Sequence, residues 1–230
     1  MPKQLYKMSP LFQFLFAVSI LLAQSGTAQI NVSGDKDFSL VYDIHVNSSN
    51  KNPGMEETYN GSTKTILHQK GHTRIRMVSL MRIQNIYIYE TEQELKKVII
   101  TKESGKNLYK YVLTASDWKL YNARYDNIGY TYYKDTISIL GFNCKKAILN
   151  INNGKQQITA YYTESIRAFP KSIEPMFAGL PGLVLRYEMK TKNGSIKYTA
   201  NKISFEQLES SIFTEPVKGF TVKQYKPHAR

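Results

Sequence analysis

Phe38–Val46 reads FSLVYDIHV: Phe38, Leu40, Tyr42, Ile44 and Val46 alternate with Ser39, Val41, Asp43 and His45. A repeat of two places one set of side chains on each face of a strand, whereas an amphipathic helix repeats near 3.6. The alternation recurs at Arg74–Met77, Gln157–Tyr162 and Leu183–Lys190. One buried and one wet face is the pattern of antiparallel strands.

Three Asn-Gly pairs lie between such runs: Asn60-Gly61, Asn153-Gly154 and Asn193-Gly194. Both residues tolerate the positive φ of a type I′ turn. Hairpins are therefore expected for Phe142–Ile151 with Lys155–Tyr162, for Leu183–Lys190 with Ser195–Ser204, and more weakly for Glu56–Tyr59 with Ser62–Leu67. Helical signal is thin. Thr91–Lys97 (TEQELKK) has a capping Thr followed three residues later by Glu94, and Phe205–Ser210 could add a further turn. The expectation is a mainly β protein of about eight to eleven strands, with a closed barrel or sandwich as the alternative. The strands would form one strongly curved antiparallel sheet, with one or two short helices.

The chain has 230 residues and a formal net charge of +13, with one Cys, one Trp and 17 Tyr. At 42% hydrophobic and 21% charged it can build a core and is not disordered. A lone Cys excludes an intramolecular disulfide framework and a four-Cys zinc site. No repeat or long linker divides the chain, so a single domain is expected over residues 29–222, with a basic tail at residues 223–230.

Residues 1–28 carry an export pattern. Lys3 and Lys7 precede the apolar run Leu11–Ala23, and Gly26-Thr27-Ala28 supplies small residues for cleavage. That order marks a secretory signal peptide cleaved after Ala28. The run falls short of the ~20 residues of a bilayer span, so the mature chain is expected to have no transmembrane anchor. Losing Lys3 and Lys7 lowers the charge from +13 to +11. A basic protein in the periplasm or outside the cell meets anionic lipids, glycans and proteins, and nucleic acid is not an expected partner.

Residues that could carry chemistry are sparse. His68 and His72 are four apart, but Gly71 interrupts them and the stretch reads strand, turn, strand, so they would not share a helix face as metal ligands do. All four histidines, His45, His68, His72 and His228, are expected at the surface, and neither a metal nor a cofactor is expected. Cys144 lies between apolar neighbours and Lys145-Lys146; a buried, inert thiol is the simpler reading than a reactive one. The acids Glu56-Glu57, Glu92/Glu94 and Glu206/Glu209 read as surface charges. Catalytic loop motifs are absent, and no enzyme is expected. The Tyr excess, including Tyr109, Tyr111, Tyr130, Tyr132, Tyr133, Tyr161 and Tyr162, suits ligand contacts, but sheet packing alone accounts for it.

Gly179-Leu180-Pro181-Gly182-Leu183-Val184 (GLPGLV) fits a type II turn entering a strand, with Pro181 presetting φ and Gly182 taking positive φ. This stretch closely resembles the signature of the GLPGLI family of exported Bacteroidetes proteins. Ile139–Ala147 (ILGFNCKKA), Thr159–Thr163 and Glu164–Ile166 are similar as well. The resemblance is specific over about residues 135–188 and loose elsewhere. The chain departs from the family pattern at Tyr161, where Trp is common, at Glu174-Pro175, where Gly-Pro is common, and at Val184.

The resemblance implies no activity and no catalytic residue, since the family has none established. It implies a curved sheet similar to the half-barrel of periplasmic lipoprotein carriers. It also implies a candidate O-glycosylation acceptor at Thr136, in Asp135-Thr136-Ile137. The expected function is a non-enzymatic periplasmic binding or accessory protein, cupping a lipid or other apolar or acyl ligand in its sheet. The alternative is an interaction module for an outer-membrane transport or envelope complex. Which residues bind is not legible from the sequence.

Overall fold

The computed structural model describes residues 37–48, 57–91, 94–152 and 154–226, with the Glu57 side chain excepted. The expected signal peptide lies outside the described residues, as do Glu56, Glu92, Asn153 and His228. The elements are β1 (Phe38–Ser48), β2 (Ser62–Gln69), β3 (His72–Val78), β4 (Ile83–Thr91), β5 (Glu94–Ser104), β6 (Asn107–Leu113), helix α1 (Ala115–Tyr121), β7 (Gly129–Ile139), β8 (Phe142–Ile151), β9 (Gln156–Thr163), β10 (Leu183–Thr191), β11 (Gly194–Ser204) and β12 (Thr221–Lys223).

All twelve strands join one curved, open sheet in the order β12-β6-β5-β4-β3-β2-β1-β11-β10-β9-β8-β7. Every neighbouring pair is antiparallel except β12, which runs parallel to β6. The architecture is the expected half-barrel, with one strand more than expected at its β6 edge. Register breaks at Val41/Tyr42, Tyr89/Glu90, Tyr132/Thr136 and Val184/Arg186 interrupt the ladders. Extra residues of this kind bend a strand and increase its twist.

The period-two pattern decides the buried face. Leu40 faces Ile66, Ile66 faces Ile75, Ile75 faces Ile86, Ile86 faces Ile100, and Ile100 faces Tyr111. One apolar row thus crosses six strands. Each fully buried Leu or Ile side chain contributes roughly 1.5–3 kcal/mol relative to exposure. Two pieces of chain cover this inner face: α1, which brings buried Trp118, and the crossover of residues 164–182, which brings Ile166, Phe169, Ile173, Phe177 and Leu180. Trp118 Nε1 donates to the Ser172 carbonyl at 2.9 Å and ties the two pieces together. Residues 205–217 cross the outer face, where Tyr89 Oη donates to the Phe213 carbonyl at 3.1 Å.

Two hairpins stand as expected, β8–β9 and β10–β11. In the second, Thr191 faces Gly194, so the turn is Lys192-Asn193 and Gly194 already belongs to β11. Three local expectations are corrected. Glu57–Tyr59 forms a 3₁₀ turn, and β2 pairs with β1 and β3 instead. Thr91–Lys97 is no helix: Thr91 faces Glu94 across the β4–β5 hairpin. Alternating Val98 and Ile100 find cross-strand partners there, and this packing outweighs the helix propensity of a short polar run. The helix instead begins after Thr114, whose Oγ1 accepts from Asp117 N at 3.1 Å while Asp117 Oδ2 accepts from Thr114 N at 3.0 Å.

The third correction concerns Leu180–Leu183. Gly182 does not take positive φ, so this is not the type II turn expected. Glycine is required for space: a Cβ at Gly182 would overlap the Thr163 carbonyl oxygen at the end of β9. Leu183 N donates to the Ile166 carbonyl at 2.9 Å, which seats the start of β10 against the crossover.

Candidate functional site

The inner face carries a charged residue, because alternation along β2 puts Lys64 on the same side as Ile66. β2 points Ser62, Lys64, Ile66 and His68 inward. The Lys64 ammonium is largely shielded from water there; its side chain is 7% exposed and that of Glu174, in the crossover, 4%. Lys64 Nζ donates to Glu174 Oε1 at 2.6 Å and to Tyr187 Oη at 3.2 Å. It also lies 5.2 Å from the Tyr42 ring centroid, 5.3 Å from that of Tyr187 and 5.9 Å from that of Tyr198. The ring faces add attraction for a desolvated cation. Tyr187 and Tyr198 stack at 4.3 Å, and Tyr42 Oη donates to the Val184 carbonyl at 2.7 Å.

The three tyrosines are held protonated. Burial raises the Tyr42 phenol well above its ordinary range, and the Glu174 carboxylate adds to the shift. Burial does the same at Tyr187, reinforced by Tyr198 and then Glu174, and pushes Tyr198 up to about 12. Each can therefore donate a hydrogen bond but cannot serve as an anionic base near neutral pH.

Above this cluster lies a pocket of about 220 Å³. Its floor is Ile75, Met77, Ile86 and Met189 of the sheet; Trp118, Tyr121 and Tyr125 roof it with Met176 of the crossover. Lys64 and Tyr187 reach its base, and exposed Arg124 stands at its edge. Tyr121 also borders a groove of about 480 Å³, lined by Ile100, Lys102, Tyr111, Lys223 and Tyr225. Lys102 lies 5.3 Å from the Tyr111 ring centroid. Its pKa is lowered by burial first and by the Arg82 charge second. A third depression, about 540 Å³, lies on the outer face among His72, Tyr89, Lys97, Phe213 and Glu215.

The residues singled out from sequence fall elsewhere. His68 is buried rather than superficial, because its position in β2 points inward; Nδ1 shares a hydrogen bond of 2.8 Å with Thr73 Oγ1. His72 is exposed on the neighbouring strand, and His45 faces solvent. No three potential ligands converge among the described residues. Cys144 is fully buried, and burial pushes its thiol up to about 11. Glu94, Glu206 and Glu209 are exposed. Thr136 is exposed on edge strand β7, opposite Lys145 of β8.

The tyrosines chiefly pack the sheet. Tyr132 Oη donates to the Gly179 carbonyl at 3.0 Å, and Gly179 N donates to Tyr130 Oη at 3.2 Å. β7 thereby clamps the first residue of Gly179–Val184. Sequence reasoning missed Lys64 and Glu174; the legible signal was a Lys on the inward set of a strand.

No family model matches the chain, and no curated protein gives a significant match. Solved structures are similar in backbone path. Two structures of PNGF-II share 15% and 14% identity, with TM-scores of 0.45 and 0.47. They cover 83% of this chain and 32% and 31% of theirs, so the chain spans about a third of the length of PNGF-II. A beta-barrel-like protein of a domain of unknown function from Brucella abortus shares 8% identity at a TM-score of 0.35, covering 78% of this chain and 100% of that one. A hypothetical protein from Chlamydia trachomatis shares 10% identity at 0.35, covering 78% and 91%.

Proposed function

We propose that this chain is an exported, non-enzymatic binding or accessory protein of the cell envelope, related to the GLPGLI family. Its ligand is apolar and chain-like, held between the inner face of the sheet and the cover formed by α1 and residues 164–182. The observation that carries the reading is the roofed pocket lined by Met77, Met176, Met189, Ile75, Ile86 and Trp118. Thioether side chains adapt to irregular apolar shapes. The pocket alone is small for a ligand site, but with the groove beyond Tyr121 it comes within the usual range of roughly 300–1,000 Å³. The Lys64–Glu174 pair supplies a fixed polar end with little net charge.

Trp118 is the single tryptophan of the chain and roofs the pocket, so its fluorescence reports on occupancy. Titration with a long-chain fatty acid is expected to give a saturable shift in emission. Met189→Phe, which fills the pocket, is expected to weaken it at unchanged fold. Unaltered Trp118 emission across saturated and unsaturated acyl chains, with a bare chain mass in native mass spectrometry, would overturn the reading.

A second reading, docking to an outer-membrane protein, draws on the open edge of β7, where Tyr132 and Tyr133 are exposed. A partner strand could add there. The register break between Tyr132 and Thr136, with Lys134 and Asp135 inside it, blunts that edge against pairing. Loss of cross-linking to envelope proteins from a probe at Tyr133, relative to one on His45, would remove this reading.

A further inference from the structure

The β3–β4 connection is a tight turn with an apolar tip. Ser79 N donates to the Arg82 carbonyl at 2.9 Å, and Arg82 N donates to Ser79 Oγ at 3.2 Å. These bonds fix the two residues between them, Leu80 and Met81, at the apex. Leu80 is 89% exposed and Met81 63% exposed. Single exposed apolar residues are ordinary on a protein surface. Two adjacent ones, held outward by a hydrogen-bonded turn, are not explained by packing.

The register places this tip at the rim of the cavities. Met77 and Gln84 face each other in the β3–β4 ladder, and both line the roofed pocket. The strands close one pair further on, at Val78 and Ile83, and the turn follows. Gln84 in turn faces Lys102 of β5, which lines the adjoining groove with Lys223. The Gly105-Lys106 turn, joining β5 to β6, ends at the same side of the sheet. Arg82 in the turn, Lys102 on β5 and Lys106 in the next turn thus flank the tip on its β5 side, while Lys223 stands farther off, over the Tyr109 ring of β6. Glu103, beside Ile83 in register, is the acid among them.

An apolar tip flanked by cations is complementary to an anionic bilayer: apolar side chains enter the acyl boundary while Lys and Arg meet the head groups. We propose that Leu80 and Met81 insert into an anionic lipid surface, with Arg82, Lys102 and Lys106 against its head groups. Docking in this way sets the mouth of the pocket and groove beside the bilayer, where an apolar ligand can pass without crossing water. The surface reading goes beyond the pocket's occupancy and stands or falls separately from it.

The test uses the chain as processed by an exporting cell, with vesicles of phosphatidylcholine alone or mixed with phosphatidylglycerol. Cosedimentation is expected with the anionic vesicles and not with the neutral ones, weakening as salt rises. Leu80→Ser/Met81→Ser is expected to lower the affinity about tenfold, and Lys106→Glu roughly fivefold or more. An environment-sensitive fluorophore at Met81→Cys is expected to shift to the blue on the anionic vesicles; Cys144, being buried, does not compete for the label. Equal binding by the double Ser variant, or no blue shift at position 81, would overturn the proposal, as would no binding to any vesicle.

Leu80 and Met81 do not line the cavities, so the double variant retains the Trp118 response to an acyl ligand if that reading holds. Vesicle binding without an acyl response would defeat the proposed function alone. An acyl response without vesicle binding would defeat the docking surface alone.

Discussion

Lys64 and Glu174, 110 residues apart in the chain, close a 2.6 Å ion pair beneath the cover of the sheet. The pair pins the crossover to β2, and three tyrosine rings complete its surroundings. Attraction between such groups barely offsets their desolvation, whereas removing one partner strands a buried charge.

Lys64→Met and Glu174→Leu should therefore each destabilise the fold by about 3–5 kcal/mol. The double variant Lys64→Met/Glu174→Leu should recover most of that loss. Urea unfolding of the four proteins measures the coupling. Additive losses would show that the pair is not a unit.

Gly182→Ala should cost about 1–3 kcal/mol or more, as overpacking does, because the added methyl overlaps the Thr163 carbonyl. The cost follows from space and not from φ, so Gly182→Asn, which suits left-handed backbone, should be no better tolerated. Thermal unfolding of both variants separates the two causes.

The Cys144 thiol should resist a disulfide reagent at pH 8 in the folded chain and react at once in denaturant. Full burial blocks access, and a pKa raised to about 11 keeps the sulfur protonated. Labelling at the rate of a free thiol under native conditions would contradict this.

His68 gives the fold a dependence on acid. Burial holds its pKa below the ordinary value of 6.5, so below that pH the unfolded chain binds a proton that the folded chain refuses. Stability should fall as pH drops from about 6.5 through the folded pKa, and should not change through His68 above it. His68→Gln should flatten that limb of the pH–stability curve relative to the unsubstituted chain.

Thr114→Ala removes the hydrogen bond that Thr114 Oγ1 accepts from Asp117 N at the start of α1, and leaves the one its backbone N–H donates to Asp117 Oδ2. It should cost about 1 kcal/mol, and because α1 carries Trp118 over the pocket, it should also increase quenching of Trp118 by acrylamide.

Much of the fold was legible in the chain. The alternation at Phe38–Val46 and at Leu183–Lys190 settled strands and buried faces, because side chains on a pleated strand must point to opposite sides. The two hairpins with Asn-Gly near their turns followed from local backbone preference. Expectations failed where distant partners outweighed local signals. Thr91–Lys97 pairs across a hairpin, His68 turns inward with its strand, and Gly182 answers to a carbonyl nineteen residues away in the chain. The candidate site is of this second kind. Nothing beside Lys64 in sequence announces Glu174, Tyr42, Tyr187 or Tyr198, since they meet only when β2, β1, β10, β11 and the crossover are assembled. Periodicity determined which face would be buried. Only the tertiary structure decided what that face encloses, because the space beneath a cover depends on the register of strands far apart in the chain.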